Sequence, residues 1–438
     1  MTRLPTLLIK NCEWLVTQNE GREVMRDVSL LVENGVIREI GRIGSTADII
    51  IDAKGKIAIP GLVNAHTHLP MTLFRGFADD MQLQDWLQKK IWPLESKLTG
   101  DDCYAGALLG CAEMIRSGTT SFVDMYFHME RVADAVAQAG LRGFLSYAPI
   151  DLFDPAKARL EKEHVIKFQE YVRGLRNQAI KFVVGPHAPY TCSSELLQWT
   201  KEYAEKNDAL LHIHVAETRR EQADMVKQNG MRVVEYLDKI GVLCRNMLAA
   251  HCVWLTKSEV QLLAKKGVSV AHCPVSNMKL ASGGVAPLPE MFESGIAVGL
   301  GTDGAASNNG LDMFDTMKMC ALIHKAYRWD PTILNAQKVL DLATIEGARA
   351  LRVNDELGSL ETGKRADIVL VDCETPNMRP IHGANTVVSD LVYSASSGNV
   401  DSTIVDGKIL MQNREMKTLD LRTVIAASQQ QISQLFRK

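Results

Sequence analysis

The feature that most constrains this chain is an alternation. From Pro60 onward, eight short apolar runs take turns with stretches of helical period. The runs are Leu62–His66, Ser121–Met125, Gly143–Ala148, Lys181–His187, Leu210–Glu217, Met247–Cys252, Val268–Cys273 and Ile296–Asp303. Segments such as Ala105–Arg116, Glu195–Lys206, Ser258–Lys265 and Met313–Lys325 lie between them, with apolar residues three or four apart. A strand followed by a helix, eight times over, predicts an α/β chain built on a parallel TIM-like (β/α)8 barrel. The runs are apolar almost throughout, as strands covered on both faces must be.

The flanks read differently. Thr6–Ile9, Val28–Glu33 and Val36–Ile40 mix β-branched and apolar residues, and Asn34-Gly35 between the last two is a strong hairpin signal. Strand character returns after Leu351, in Asp367–Val371, Ser402–Val405 and Ile409–Met411, with Asp406-Gly407 as a turn. The expected division is therefore 1–59 and 354–438 as two parts of a small β-sandwich, flanking a barrel at 60–353. Leu421–Arg437 has apolar residues at helical spacing and reads as a terminal helix.

Charge and cysteine usage narrow the partners. The 49 basic and 52 acidic residues leave a net charge of −3, with no basic excess to draw the chain onto nucleic acid or anionic lipid. No apolar run approaches the roughly 18–20 residues of a membrane helix. Met1–Glu13 lacks the long apolar stretch of a signal peptide. Nine scattered cysteines without a CxxC pair fit reduced thiols and a cytoplasmic setting. A small-molecule partner is expected, and assembly of identical chains is left open.

A barrel carries its chemistry at the carboxyl ends of its strands. There the sequence places His66 and His68, His187, His214 with Glu217, His251, His272 and Asp303. Six of the eleven histidines thus fall on or just past an expected strand end, which argues for a shared pocket. His66 and His68, two apart on a strand, point to the same side and can share one metal ion. With His214 and Asp303 they make a set of three imidazoles and a carboxylate that suits Zn²⁺, with Fe²⁺ as the other choice. An ion of this kind lowers the pKa of water toward neutrality and so supplies a nucleophile. One ion per chain is expected, because the fourth strand ends at His187 and its only lysine, Lys181, sits at its start. Glu217, three residues past His214, is placed to move protons, and His251 to orient the water. His212, deeper in its strand, reads as a core histidine, and His272-Cys273-Pro274 as barrel structure. His128-Met129-Glu130 is an HxE without the PCxxC of cytidine-type deaminases.

At these residues a family resemblance enters. Pro60–His68 (PGLVNAHTH), His214–Thr218 (HVAET), Ala249–Leu255 (AAHCVWL) and Gly299–Asn309 (GLGTDGAASNN) resemble the amidohydrolase superfamily. Asp85-Trp86-Leu87, Ile91–Glu95 and Gly185–Tyr190 resemble, within it, the 5′-methylthioadenosine/S-adenosylhomocysteine deaminases. The resemblance spans nearly the whole chain. It implies metal ligands at His66, His68, His214 and Asp303, a proton shuttle at Glu217, and a water-side histidine at His251. It implies nucleoside contacts at Trp86, Glu95, His187 and Ser307, and Arg159 as one grip on a homocysteine carboxylate. A second cationic position falls near Tyr147, which carries no positive charge. The implied reaction is hydrolytic deamination of a 5′-substituted adenosine, of the methylthioadenosine, S-adenosylhomocysteine or 5′-deoxyadenosine type, to the inosine derivative and ammonia. The same scaffold also serves guanine and cytosine deaminases and triazine hydrolases. Relatives that lost their metal serve as assembly proteins, and these alternatives stay open on sequence.

Overall fold

The structure is a computed structural model that describes residues 5–437. The leader-free reading of the first residues falls partly on 1–4, outside the described residues. The eight expected runs all carry strand, in two parallel four-stranded sheets. The first holds Leu62–Thr67, Thr119–Tyr126, Arg142–Tyr147 and Ile180–Phe182, and the second Leu211–Val215, Met247–His251, Ser269–His272 and Val298–Leu300. Contacts at both edges join the sheets. Val184 forms a parallel bridge with Leu211, and the Asp303 N–H donates to the His66 carbonyl at 2.9 Å. The residues of Thr119–Tyr126, Leu211–Val215 and Met247–His251 are buried without exception, so these strands are covered on both faces.

Two strands are shorter than their apolar runs. Lys181–His187 forms regular strand only to Phe182 and pairs once more at Val184, and two residues further on Pro186 has no N–H to donate. Ile296–Asp303 narrows to Val298–Leu300 because the chain there crosses close over the first strand. A Cβ on Gly301 would stand 2.9 Å from the His66 Cβ.

The strands at both chain ends share one nine-stranded sheet. Lys56–Pro60 and Ile368–Asp372 pair antiparallel and join the N-terminal strands to the C-terminal ones. Asn34 and Gly35 both take positive φ (53° and 77°), as a two-residue hairpin between right-twisted strands requires. This sheet keeps its own apolar core, with Leu7, Ile9, Leu30, Ile37, Ile368 and Ile404 buried together. Buried Arg142 at the start of its strand bonds Asp367 (3.1 and 3.2 Å) and Asp406 (2.7 Å), tying the parallel sheet to the nine-stranded one. The terminal helix Leu421–Leu435 packs on Gly100–Arg116. Among the described residues, no helix is long and apolar enough to cross a membrane.

Candidate active site

The carboxyl ends of the parallel strands converge on one cavity. Its wall includes His68, Trp86, Glu95, His187, His214, Glu217, His251, Asp303 and Ser307. His66 lies fully buried beneath, its ring 4.8 Å from that of His68 and 4.9 Å from that of His214.

Hydrogen bonds around the histidines decide which nitrogen each one offers. His212 donates from Nδ1 to the Leu248 carbonyl (2.9 Å), so its Nε2 is an acceptor. It therefore takes the Nδ1 proton of His66 at 2.7 Å. His66 Nε2 is left as a bare lone pair, buried and without a hydrogen-bond partner. His68 donates from Nδ1 to the Met125 carbonyl (2.7 Å), and His214 from Nδ1 to the His187 carbonyl (2.6 Å). Three Nε2 lone pairs thus face one another, with His68 and His214 only 3.2 Å apart at that atom. Asp303 Oδ1 stands 3.4 Å from His66 Nε2 and 3.3 Å from His68 Nε2. Its Oδ2 accepts from the hydroxyls of Ser276 (2.5 Å) and Ser307 (2.8 Å). Lone pairs that share no proton repel unless a cation sits among them, and burial holds His66 and His214 well below their usual range, as neutral rings. The residues therefore fit a divalent ion. Donation of each ligand's other ring nitrogen to a fixed acceptor is what sets the tautomer at metal sites.

His251 is held differently. The Asn277 amide donates to its Nδ1 at 3.0 Å, which leaves the proton on Nε2. That atom lies 3.9 Å from Glu217 Oε2. His251 thus presents a donor where its neighbours present lone pairs. Burial, and then the negative charge of Asp303, push the Glu217 carboxyl up to about 8. The Glu221 carboxylate accepts the N–H groups of Ala216 (3.2 Å) and Glu217 (2.7 Å) and so fixes the turn that carries Glu217. Ala216, His251 and Asp303 all sit in the left-handed region, at φ 52°, 71° and 62°. For residues with a Cβ each such conformation costs about 1–3 kcal/mol, strain of the kind that collects at working sites.

On the opposite wall, half-buried Glu95 accepts from the Tyr126 hydroxyl at 2.6 Å, while loss of solvent around its carboxyl raises it above the ordinary range. Trp86 is buried and lines the cavity on the same side. Thr191, whose hydroxyl proton reaches the Ala188 carbonyl, accepts from His187 Nδ1 at 2.8 Å, leaving His187 Nε2 as an acceptor. Burial presses His187 down to about 3.

Arg159 does not join these residues. It is exposed on the helix Pro155–Leu175 and lines neither the cavity nor its neighbour. Buried Ala158, Val165, Phe168 and Val172 turn another face of that helix inward. Lys167 lies about two turns further along the same helix. It lines a second cavity of about 500 Å³, which shares Trp92, Glu95 and Phe127 with the first. Tyr147, His164 and Glu130 line this outer cavity too. Among the described residues neither Lys167 nor Glu130 makes an ion pair. Reasoning from sequence also passed over His212, Asn277, Glu221 and Tyr126 as parts of the site. The second HxH, His212-Ile213-His214, was the one signal that pointed to any of them.

Comparison with known proteins places this geometry. Residues 57–410 match the amidohydrolase family. The chain belongs to that family. It is 48% identical to a 5-methylthioadenosine/S-adenosylhomocysteine deaminase of Thermococcus onnurineus over 411 residues, 94% of this chain and 95% of the relative. It is 47% identical to a 5′-deoxyadenosine deaminase of Methanosarcina mazei, with 98% of each covered. Among solved amidohydrolase structures, an adenosine deaminase from Xanthomonas campestris with bound zinc superposes with a TM-score of 0.93. That pair is 36% identical and covers 99% of each chain.

Proposed function

We propose that this amidohydrolase deaminates 5′-substituted adenosines by hydrolysis at C6, with one Zn²⁺ held by His66, His68, His214 and Asp303. One observation carries the reading. Three imidazole lone pairs and a carboxylate meet at the floor of a cavity whose walls bear Glu217 on one side and Glu95 on the other. The relatives named as deaminases of such nucleosides support it, as does the zinc of the Xanthomonas structure. Closure of the two parallel sheets into a barrel is part of the proposal, supported by the Val184–Leu211 bridge and the Asp303–His66 hydrogen bond. So is folding of the nine-stranded sheet into a sandwich around its separate core, which keeps the division at 1–59, 60–353 and 354–438. Nine buried cysteines without a disulfide fit a reducing compartment.

When bound, the ion lowers the pKa of water and makes a nucleophile available near neutral pH. Glu217 takes the proton that the attacking water gives up and hands it to ring N1, which draws electrons from C6. A carboxyl whose proton affinity lies near neutrality can do both. His251 donates its Nε2 proton as a hydrogen bond to the oxygen adding at C6. As the C6–N bond breaks, Glu217 takes the remaining proton from the oxygen added at C6 and passes it to the departing amine, so that C6=O forms and ammonia leaves. Glu95 accepts hydrogen bonds from the ribose hydroxyls, with Tyr126 holding the carboxyl in place. Trp86 covers the sugar and base with an apolar face, and His187 Nε2 accepts from the purine side. Ser307 spends its hydroxyl proton on Asp303 and so orients that carboxylate.

The outer cavity begins at Glu95, where a 5′ substituent would leave the ribose. Lys167 and Glu130, opposite in charge and unpaired there, suit the carboxylate and ammonium of an amino-acid end group. The test is loss of adenine absorbance, with ammonia release, over a panel of adenosines. Turnover of 5′-deoxyadenosine, methylthioadenosine and S-adenosylhomocysteine, with adenine itself poor, is the expected result. Preference for guanine, cytosine or a chlorotriazine would overturn the assignment.

A further inference from the structure

Away from the catalytic cavity, a second cluster of metal-type donors is sealed inside the protein. His272 ends the strand Ser269–His272, and Cys320 and His324 stand one helical turn apart on Met313–Arg328. That spacing puts the thiol and the imidazole on one helix face, turned toward the strand end. One donor atom from each lies within 4.8 Å of the other two. All three side chains are buried, at 2% exposure or less, and none lines the catalytic cavity.

The cluster's bonding capacity is largely unused. The two rings approach at 3.1 Å between Nε2 atoms, which accommodates a single shared proton. Both Nδ1 atoms are buried without a partner. The Cys320 thiol makes no hydrogen bond among the described residues, and burial raises its pKa. Burial also holds His272 well below its usual range and His324 down to about 4, so both rings are neutral. A neutral pair with only one bond between them, beside an idle thiol, is a poor way to fill a core.

We propose that His272, Cys320 and His324 form a second metal site, for Cu⁺. Two imidazoles and a thiolate are the soft donors that select Cu⁺ or Zn²⁺ over the harder divalent ions. Charge separates the two. No carboxylate belongs to the cluster, and Glu290, whose charge reaches His324, is already paired with Arg328 at 2.7 Å. Binding releases the Cys320 proton to solvent, so Cu⁺ leaves a neutral site while Zn²⁺ leaves a net positive charge in an apolar interior, which is costly. Three donors in a closed pocket also suit an ion that accepts three-fold coordination, whereas zinc asks for a fourth ligand.

The closed walls mean that the ion enters as the chain folds. The test is therefore made on the whole protein from low-oxygen cultures given zinc with or without copper, purified anaerobically. Metal analysis should find one copper beyond the catalytic zinc in the copper-fed protein. X-ray absorption at the copper edge should show one sulfur and two nitrogen neighbours. Cys320→Ser should lose that copper and the sulfur shell, keep its zinc, and keep its deaminase activity. Wild-type protein without copper, copper lacking a sulfur neighbour, or equal copper in wild type and Cys320→Ser would each overturn the site. A second zinc in place of copper would overturn the choice of ion. Should Cys320→Ser fail to fold, the wild-type absorption spectrum decides alone.

Discussion

Two groups of buried histidines in this molecule look alike in composition and differ in what surrounds them. In the catalytic group, every ligand ring gives its Nδ1 proton away, to Met125, His187 or His212, and turns a lone pair inward. In the closed group around His272 and His324, no acceptor takes a Nδ1 proton, and the rings can only share one between them. The first group faces a cavity and holds a carboxylate; the second is shut and holds a thiol. The difference teaches that proximity of histidines does not define chemistry. The hydrogen bonds behind the rings, the charge of the remaining ligand and access to a substrate do.

Paired substitutions can break this comparison. The largest effect is expected at His66, whose lone pair has no other use. His66→Ala should lose bound zinc and nearly all deamination, whereas His324→Ala should retain both. Equal losses in the two variants, measured as metal content and kcat/KM, would mean that the groups are not functionally distinct.

A subtler change tests the hydrogen bonds themselves. His212 does not line the catalytic cavity and accepts the Nδ1 proton of His66. His212→Phe keeps an aromatic ring and removes the acceptor, and loss of such an outer partner typically weakens metal affinity about 10–100-fold. Zinc competition with a chromogenic chelator reads the change, and kcat should recover when zinc is added in excess. A variant with unchanged affinity would show that His66 needs no fixed tautomer.

The smallest expected effect lies in the outer cavity. Lys167→Ala should raise KM for S-adenosylhomocysteine by about tenfold, the worth of a partly exposed charge-assisted hydrogen bond, and leave 5′-deoxyadenosine almost unchanged. An equal shift for both nucleosides would remove Lys167 from recognition of the 5′ group.

Much of this was legible in the chain. The eight apolar runs marked the strands because both faces are buried, and the HxH, the HVAET segment and the terminal Asp303 fell at strand ends where a barrel gathers its chemistry. What escaped has a physical reason in each case. Pro186, with no N–H to donate, lies inside the apolar run of the fourth strand. Whether Arg159 or Lys167 faces the outer cavity depends on how a helix rotates against its neighbours, which periodicity alone leaves open by a turn or two. His212 and Asn277 act through hydrogen bonds to partners 146 and 26 residues away, and such contacts leave no mark on local sequence. The closed cluster joins residues 52 apart, and of these only His272 lies in a segment that the sequence singles out.

The central claim is that Glu217 moves the proton in a deamination assisted by a metal ion. Glu217→Gln leaves all four proposed ligands untouched and nearly preserves shape, but the amide can neither take a proton from water nor give one to N1. Its kcat for 5′-deoxyadenosine should fall about 10²–10⁴-fold, with KM and zinc content close to wild type. A Glu217→Gln enzyme that keeps its zinc and turns over within about threefold of wild type, where loss of a general acid–base should cost 10²–10⁴-fold, would contradict the account.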